Sequence, residues 1–352
     1  MKIKYSFTIP LVSLFLIGLY IPLSAQDNWS NSECCETSCG WGRFNAGAEW
    51  LHWKVKQDNM RAGTFVDDFP DPILKEATGT MIEPKFKYNG GVRGYIGYET
   101  ACSQWGINAI YTYIPLHSKS AFKKTIPFEE QTRTHRQFII PNTPGFPLFE
   151  AFEGEGGIAA LSSLSTKWHG NLSYVDIDLS RNLTFCDSFH LRPHVGFRYA
   201  WMTQHLLMQA GFILVSTNNS TFGNLKYKQK FHGYGIEGGI WADWNLGYGF
   251  SIVGHVGGSV LYSHINLKIL SESFIKKKGD PVFIIRSGSK NIYAIPTIDY
   301  FAGLKYEKAF KRLSISAHVG WEQRVFLNIN QIAFASGYLS LQGLTLGGDI
   351  SF

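Results

Sequence analysis

The eight residues from Thr345 to Phe352 most constrain the fold of this 352-residue chain. Leu346, Gly348, Ile350 and Phe352 alternate with Thr345, Gly347, Asp349 and Ser351, the period of a two-faced β-strand. The strand stops on an aromatic residue. A strand in water gains nothing from an exposed terminal Phe. The last strand of a closed barrel in lipid has an apolar outer face to place it on and a first strand to pair with. The expected fold is therefore an all-β, antiparallel transmembrane β-barrel.

The other end of the chain fits export. Lys2 and Lys4 precede an apolar run from Phe7 to Leu19, and Leu23-Ser24-Ala25 supplies small residues before Gln26. This predicts a signal peptide over residues 1–25. Thr8, Pro10 and Ser13 interrupt the run, which makes it a poor membrane helix. No later stretch is long and apolar enough to span as a helix. Yet aromatics make up 15% of residues, Gly counts 36, and charged residues are only 17%. That composition suits many strands with aromatic girdles and one face in lipid. The net charge of +6 is too mild and too dispersed to argue for nucleic acid.

Alternation recurs along the chain. Strands are expected at Gly42–Gln57, Lys85–Glu99, Trp105–Tyr113, Trp168–Arg181, Phe189–Gln204, Lys228–Trp244, Phe250–His264, Ile292–Tyr306, Arg312–Asn328 and Ser336–Phe352. In the first, Phe44, Ala46, Ala48 and Trp50 oppose Asn45, Gly47 and Glu49; both faces then turn apolar through Leu51 and Trp53. The connections run alternately long and short. Long loops fall at 58–84, 116–166, between Gln204 and Lys228, and at 265–291. Short turns fall at 100–104, 182–188, 245–249 and 307–311. This is the rhythm of an outer-membrane barrel of about ten strands, 42–352, with long extracellular loops, short periplasmic turns and both ends in the periplasm. Strands of this length should project beyond the outer surface. The apolar runs Phe138–Ile140 and Val282–Ile285 leave twelve strands as the alternative. The expected location is the outer membrane of a Gram-negative type of cell. The expected partners are its lipid and the barrel-assembly machinery, whose terminal signal Thr345, Gly347, Ile350 and Phe352 resemble in spacing.

Residues 26–41 read as a polar, periplasmic lead-in bearing Cys34, Cys35 and Cys39. Cys102 and Cys186 fall in short turns, so all five thiols lie on the oxidising side and are disulfide candidates. The plainer reading is of small residues in turns. A zinc site at the Cys34-Cys35-x-x-x-Cys39 run lacks a second ligand pair. No cofactor or metal is expected. Charged residues opposite the apolar faces point into the lumen: Arg93, Asp176, Asp178, Arg192, Arg198, Glu237, Glu322 and Arg324, with Glu49, Glu99 and Asp243 beside them. Lys123, Lys124 and Lys276–Lys278 sit in the loops, and would favour anions at a pore mouth or form a solvated face.

Several stretches together resemble the Legionella major outer membrane protein family, with MOMP-like members in chlamydia-related bacteria. They are Ala48–Trp53, Arg192–Arg198 with Gln204 after it, Gly233–Ile236 through Trp244, Gly249–Ser251, Gly320–Glu322 and Leu339–Leu346. The resemblance implies a porin-type barrel at the cell surface and, in chlamydial relatives, disulfide-linked envelope proteins as neighbours. The leading expectation is a narrow, weakly selective diffusion pore for small solutes. The alternative is a closed barrel, its charges paired, acting as a structural or adhesive protein through its outer loops. Catalysis is not expected: no Gly-x-Ser-x-Gly, His-Glu-x-x-His or phosphate loop occurs, and Ser263 and His264 point to opposite faces.

Overall fold

The computed structural model describes residues 42–66, 79–101, 104–125, 138–141, 159–186, 188–214, 219–274, 283–311, 313–332 and 336–352. The signal peptide, the lead-in and Cys102 lie outside these residues. The strands, in chain order, are Arg43–Gln57 (β1), Gly63–Val66 (β2), Gly79–Ile82 (β3), Lys85–Phe86 (β4), Tyr88–Glu99 (β5), Trp105–Lys119 (β6), Ala121–Lys124 (β7), Phe138–Pro141 (β8), Ala159–Arg181 (β9), Leu183–Cys186 (β10), Phe189–Leu214 (β11), Asn219–Gly247 (β12), Phe250–Phe274 (β13), Phe283–Ala309 (β14), Ser314–Asn330 (β15) and Gly337–Ser351 (β16).

Ten of them close into an antiparallel ring: β1, β5, β6, β9, β11, β12, β13, β14, β15 and β16, with β16 returning to β1. The seam is continuous from Asn45 opposite Ser351 to Gln57 opposite Leu339. At its end the Phe44 N–H donates to the Phe352 carbonyl at 2.8 Å, and the Phe352 N–H donates back at 2.9 Å. No edge remains in the ring, which is what lipid requires of a sheet.

The outward faces carry a lipid band between two aromatic girdles. At the short-turn end stand Phe44, Trp105, Trp244, Phe250, Tyr306 and Phe352; at the other end stand Trp50, Tyr113, Tyr199, Tyr234, Tyr262 and Trp321, all exposed. Beyond the second girdle the strands continue with their sidedness inverted. On β1 the outward residues become His52, Lys54 and Lys56, while Leu51, Trp53 and Val55 are fully buried inside. On β12 the exposed Lys226, Lys228 and Lys230 alternate with buried Leu225, Tyr227, Gln229 and Phe231. The period of two is kept, but the outer medium has changed from lipid to water. The apolar residues therefore turn inward and build a core like that of a soluble barrel. The apparent apolarity of both faces after Trp50 has this cause: Leu51 and Trp53 share the inner face.

Three expected loops are corrected on the same ground; a fourth, 58–84, holds β2 and β3, and the expected turn at 182–188 holds β10. Strand β11 runs to Leu214 and β12 starts at Asn219, so most of the segment between Gln204 and Lys228 is hairpin. Strand β13 runs to Phe274 and β14 starts at Phe283, leaving few residues of 265–291 outside strands. Within 116–166, β6 extends to Lys119, β7 and β8 form, and β9 begins at Ala159. The twelve-strand alternative falls. Phe138–Pro141 pairs with β2 in a separate three-stranded sheet with β3, and Phe283–Ile285 opens β14. One wall is tall: β9, β11, β12, β13 and β14 have 23 to 29 residues, whereas β1 and β16 have 15 each. Met60, Ala62, Phe65 and Ile82, from and beside β2 and β3, join the buried core at the long-hairpin end.

Candidate functional site

The lumen has three levels. At the short-turn end a cavity of about 660 Å³ opens between Arg43, Glu99, Asn182, Asp243 and Ser351. Its floor is a lattice of charges within the lipid band. Past that floor, the lumen is filled by the apolar core.

All eight charged candidates face this cavity. They form two clusters and two outliers. In the first cluster, Arg198 is only 3% exposed. It donates from Nε to Asp176 Oδ1 at 2.7 Å and from Nη2 to Asp176 Oδ2 at 3.0 Å, a bidentate pair. Its Nη2 also lies 2.5 Å from Glu237 Oε2 and 3.2 Å from Asp299 Oδ2. Its Nη1 donates to Thr297 Oγ1 at 3.1 Å. Arg324 donates to the other side of the cluster, from Nη2 to Asp299 Oδ2 at 2.9 Å. In the second cluster, Arg93 bridges Glu49 at 2.6 Å and Glu322 at 2.7 Å. Tyr174 ties the two together. Its hydroxyl accepts from Arg93 Nη2 at 3.5 Å, and Arg324 lies 4.4 Å over its ring.

The outliers have other jobs. Asp178 accepts from Asn108 Nδ2 at 2.8 Å. Arg192 stands near the mouth, 3.6 Å from Glu99 and over the Trp241 ring. Asp299 completes the first cluster, although the sequence reading singles out only the span of its strand. The signal that finds it is the alternation of Ile298, Tyr300, Ala302 and Leu304 outward against Thr297, Asp299 and Phe301 inward.

The four spaced residues of the C-terminal strand, Thr345, Gly347, Ile350 and Phe352, also have structural roles. Thr345 is buried in the lumen, where Oγ1 accepts from Trp53 Nε1 at 3.1 Å and donates to Glu322 Oε2 at 3.0 Å. Gly347 leaves room for the Glu49–His318 contact of 3.2 Å, since a Cβ there would sit 2.5 Å from Glu49 Cγ. Ile350 and Phe352 lie exposed on the lipid band.

The core beyond the lattice is largely apolar, with Gln57, Thr166, Gln204 and Tyr227 buried among its aliphatic and aromatic side chains. Trp53, Trp168, Phe231 and Phe326 are each 0% exposed, and Trp168 Nε1 donates to Gln204 Oε1 at 2.9 Å. Burial pushes the Tyr227 phenol up to about 12. An arrangement of carboxylate-paired guanidinium groups beneath packed aromatics can fix a shape and exclude ions. Among the described residues, each guanidinium of the two clusters is paired with a carboxylate, so the lattice holds no free cation to select a permeant anion.

Among the described residues no group of three or more His, Cys, Asp or Glu side chains is arranged to hold a metal. Ser263 points into the barrel and donates to the Tyr293 carbonyl at 2.7 Å, while His264 is exposed outside, so the two form no dyad. Of the disulfide candidates, Cys34, Cys35, Cys39 and Cys102 lie outside the described residues; Cys186 is exposed at the short-turn end.

The family model of the Legionella pneumophila major outer membrane protein precursor matches residues 36–352. No curated protein sequence matches the chain. Among solved structures, the chain is similar to the outer membrane protease OmpT of Escherichia coli, at 10% identity and a TM-score of 0.42, covering 90% of this chain and 98% of that one. It is also similar to a major outer membrane protein of Thermus thermophilus, at 10% identity and a TM-score of 0.34, covering 89% and 100%. A FadL homologue of Pseudomonas aeruginosa follows at 9% identity and a TM-score of 0.28, covering 89% and 90%.

Proposed function

The chain belongs to the Legionella major outer membrane protein family, and from that premise we propose that it is a structural barrel of the outer membrane, closed at rest, with a vestibule on its periplasmic side. One observation carries this reading: the apolar core that fills the lumen past the charge lattice, with Trp53, Trp168, Phe231 and Phe326 wholly buried. Water and ions crossing the barrel would have to enter that core, where an unpaired ion costs several kcal/mol at least. Outer-membrane barrels place short turns in the periplasm, so the vestibule faces inward and the core outward.

Swelling of proteoliposomes in a small sugar such as arabinose tests the proposal. The closed barrel predicts swelling no faster than that of protein-free vesicles. Fast swelling, in proportion to protein incorporated, would favour the diffusion pore.

A second reading is a gated, narrow pore. The vestibule supports it, because a cavity of about 660 Å³ lined by both signs of charge is half of a weakly selective path. Opening would then require the outer core to move. Two partner proposals accompany either reading. The terminal Phe352, paired at the seam, supports recognition by the barrel-assembly machinery. Cys186, exposed on the periplasmic side, supports disulfide linkage to neighbouring envelope proteins.

A further inference from the structure

Among the described residues, the tall wall carries a patch rich in positive charge just outside the outer girdle. Lys226, Lys228 and Lys230 project outward from β12, and all are exposed. Lys268 of β13 stands directly opposite Lys228, and Lys290 of β14 stands opposite Asn266, itself opposite Lys230. Among the described residues, Glu272 is the one carboxylate on this outward face of β11, β12, β13 and β14, and Lys226 holds it at 2.7 Å. Lys228, Lys230 and Lys268 have no such partner among the described residues. Like charges directly opposite on neighbouring strands, as Lys228 and Lys268 are, destabilise a sheet, and an anion seated over them would relieve that repulsion.

Position identifies the anion. Lys230 is one strand repeat beyond His232, which contacts Tyr199 of the girdle at 3.3 Å. The lysines therefore stand at the level of the lipid headgroups. Directly below them the face turns apolar and exposed: Tyr234, Ile236, Val260 and Tyr262. The neighbouring His169 and His205 are held below the ordinary histidine value, first by partial burial and then by nearby positive charge, so they add little cationic charge to the patch. We propose that Lys228, Lys230 and Lys268 bind the phosphate groups of an outer-leaflet glycolipid, whose acyl chains lie on the apolar face of β12 and β13 beneath. The lysines supply point charges to the phosphates, and the strand face supplies the contact for the chains.

Native mass spectrometry of the refolded barrel in a zwitterionic detergent, with bisphosphorylated lipid A as the probe, tests this. The wild-type barrel should retain the lipid. The K228Q/K230Q/K268Q variant should bind it on the order of 100-fold more weakly, the combined effect of three basic residues near an anionic headgroup. Replacing the three lysines by arginine should preserve retention, which separates loss of charge from loss of fold. Lys308→Gln, at the opposite end of the barrel, should leave retention unchanged. Equal retention by wild type and the glutamine variant would overturn the proposal. So would equal binding of dephosphorylated lipid A. Lysine-dependent capture of heparin without lysine-dependent retention of lipid A would also overturn it, in favour of a water-borne polyanion.

Discussion

Arg198 shows how the lattice works at the level of single side chains. Its five donors are spread over Asp176, Glu237, Asp299, Thr297 and Ser259. Arg198→Ala would leave three carboxylates facing one another with Arg324 as their remaining cation. The expected loss is about 3 kcal/mol, from removing one partner of a buried ion network. Arg198→Lys keeps the charge but not the planar fork, and should fall between. The midpoint of urea unfolding in micelles measures both; a loss below about 0.5 kcal/mol for alanine would mean the group is effectively solvated. This level was largely legible in the sequence. A charge opposite an apolar strand face in lipid has only the lumen to enter, which placed Arg93, Asp176, Asp178, Arg192, Arg198, Glu237, Glu322 and Arg324 on one inner surface. Pairing was not legible, because it depends on which strands meet across the lumen. Arg93 reaches Glu322 across 229 positions of sequence.

Each hairpin is fixed at its short turn and free to lengthen at the other end. The β12–β13 turn is a tight one. Gly247, Tyr248 and Gly249 all have positive φ, of 95°, 54° and 84°, and the Asn245 side chain accepts from the Gly247 N–H at 2.8 Å. The two glycines differ in surroundings. A Cβ on Gly249 would sit 2.4 Å from the Glu307 carbonyl oxygen, whereas one on Gly247 would meet nothing within 4 Å. Gly247→Ala should therefore cost about 1 kcal/mol, the conformational penalty alone. Gly249→Ala should cost more and lower the folded fraction seen as the fast-migrating band on an unheated gel. Equal effects would mean that the Glu307 carbonyl yields freely. At the outer end, the long hairpins read as loops in the sequence for a physical reason. A search for apolar residues outside fails once the strand leaves lipid, although Leu225, Tyr227, Gln229 and Phe231 keep the period of two with the opposite sign. Accepting either sign of alternation recovers β12 from its lysines.

For the whole molecule, the strand count was readable and the state of the lumen was not. Ten strands lie between barrels that side chains fill and barrels wide enough to conduct. What decides is the volume of residues such as Trp53, Trp168 and Phe326, whose shared interior follows from closure of the ring. The result is a barrel built in two media: polar inside and apolar outside within the membrane, the reverse beyond it. Single-channel recording of the refolded wild-type chain in a planar bilayer tests that picture most directly. A lumen filled by its outer core predicts no discrete conductance steps from correctly inserted barrels. Stable steps of uniform size, changed in amplitude or ion selectivity by Arg198→Ala, would contradict it and show the lattice to line an open path.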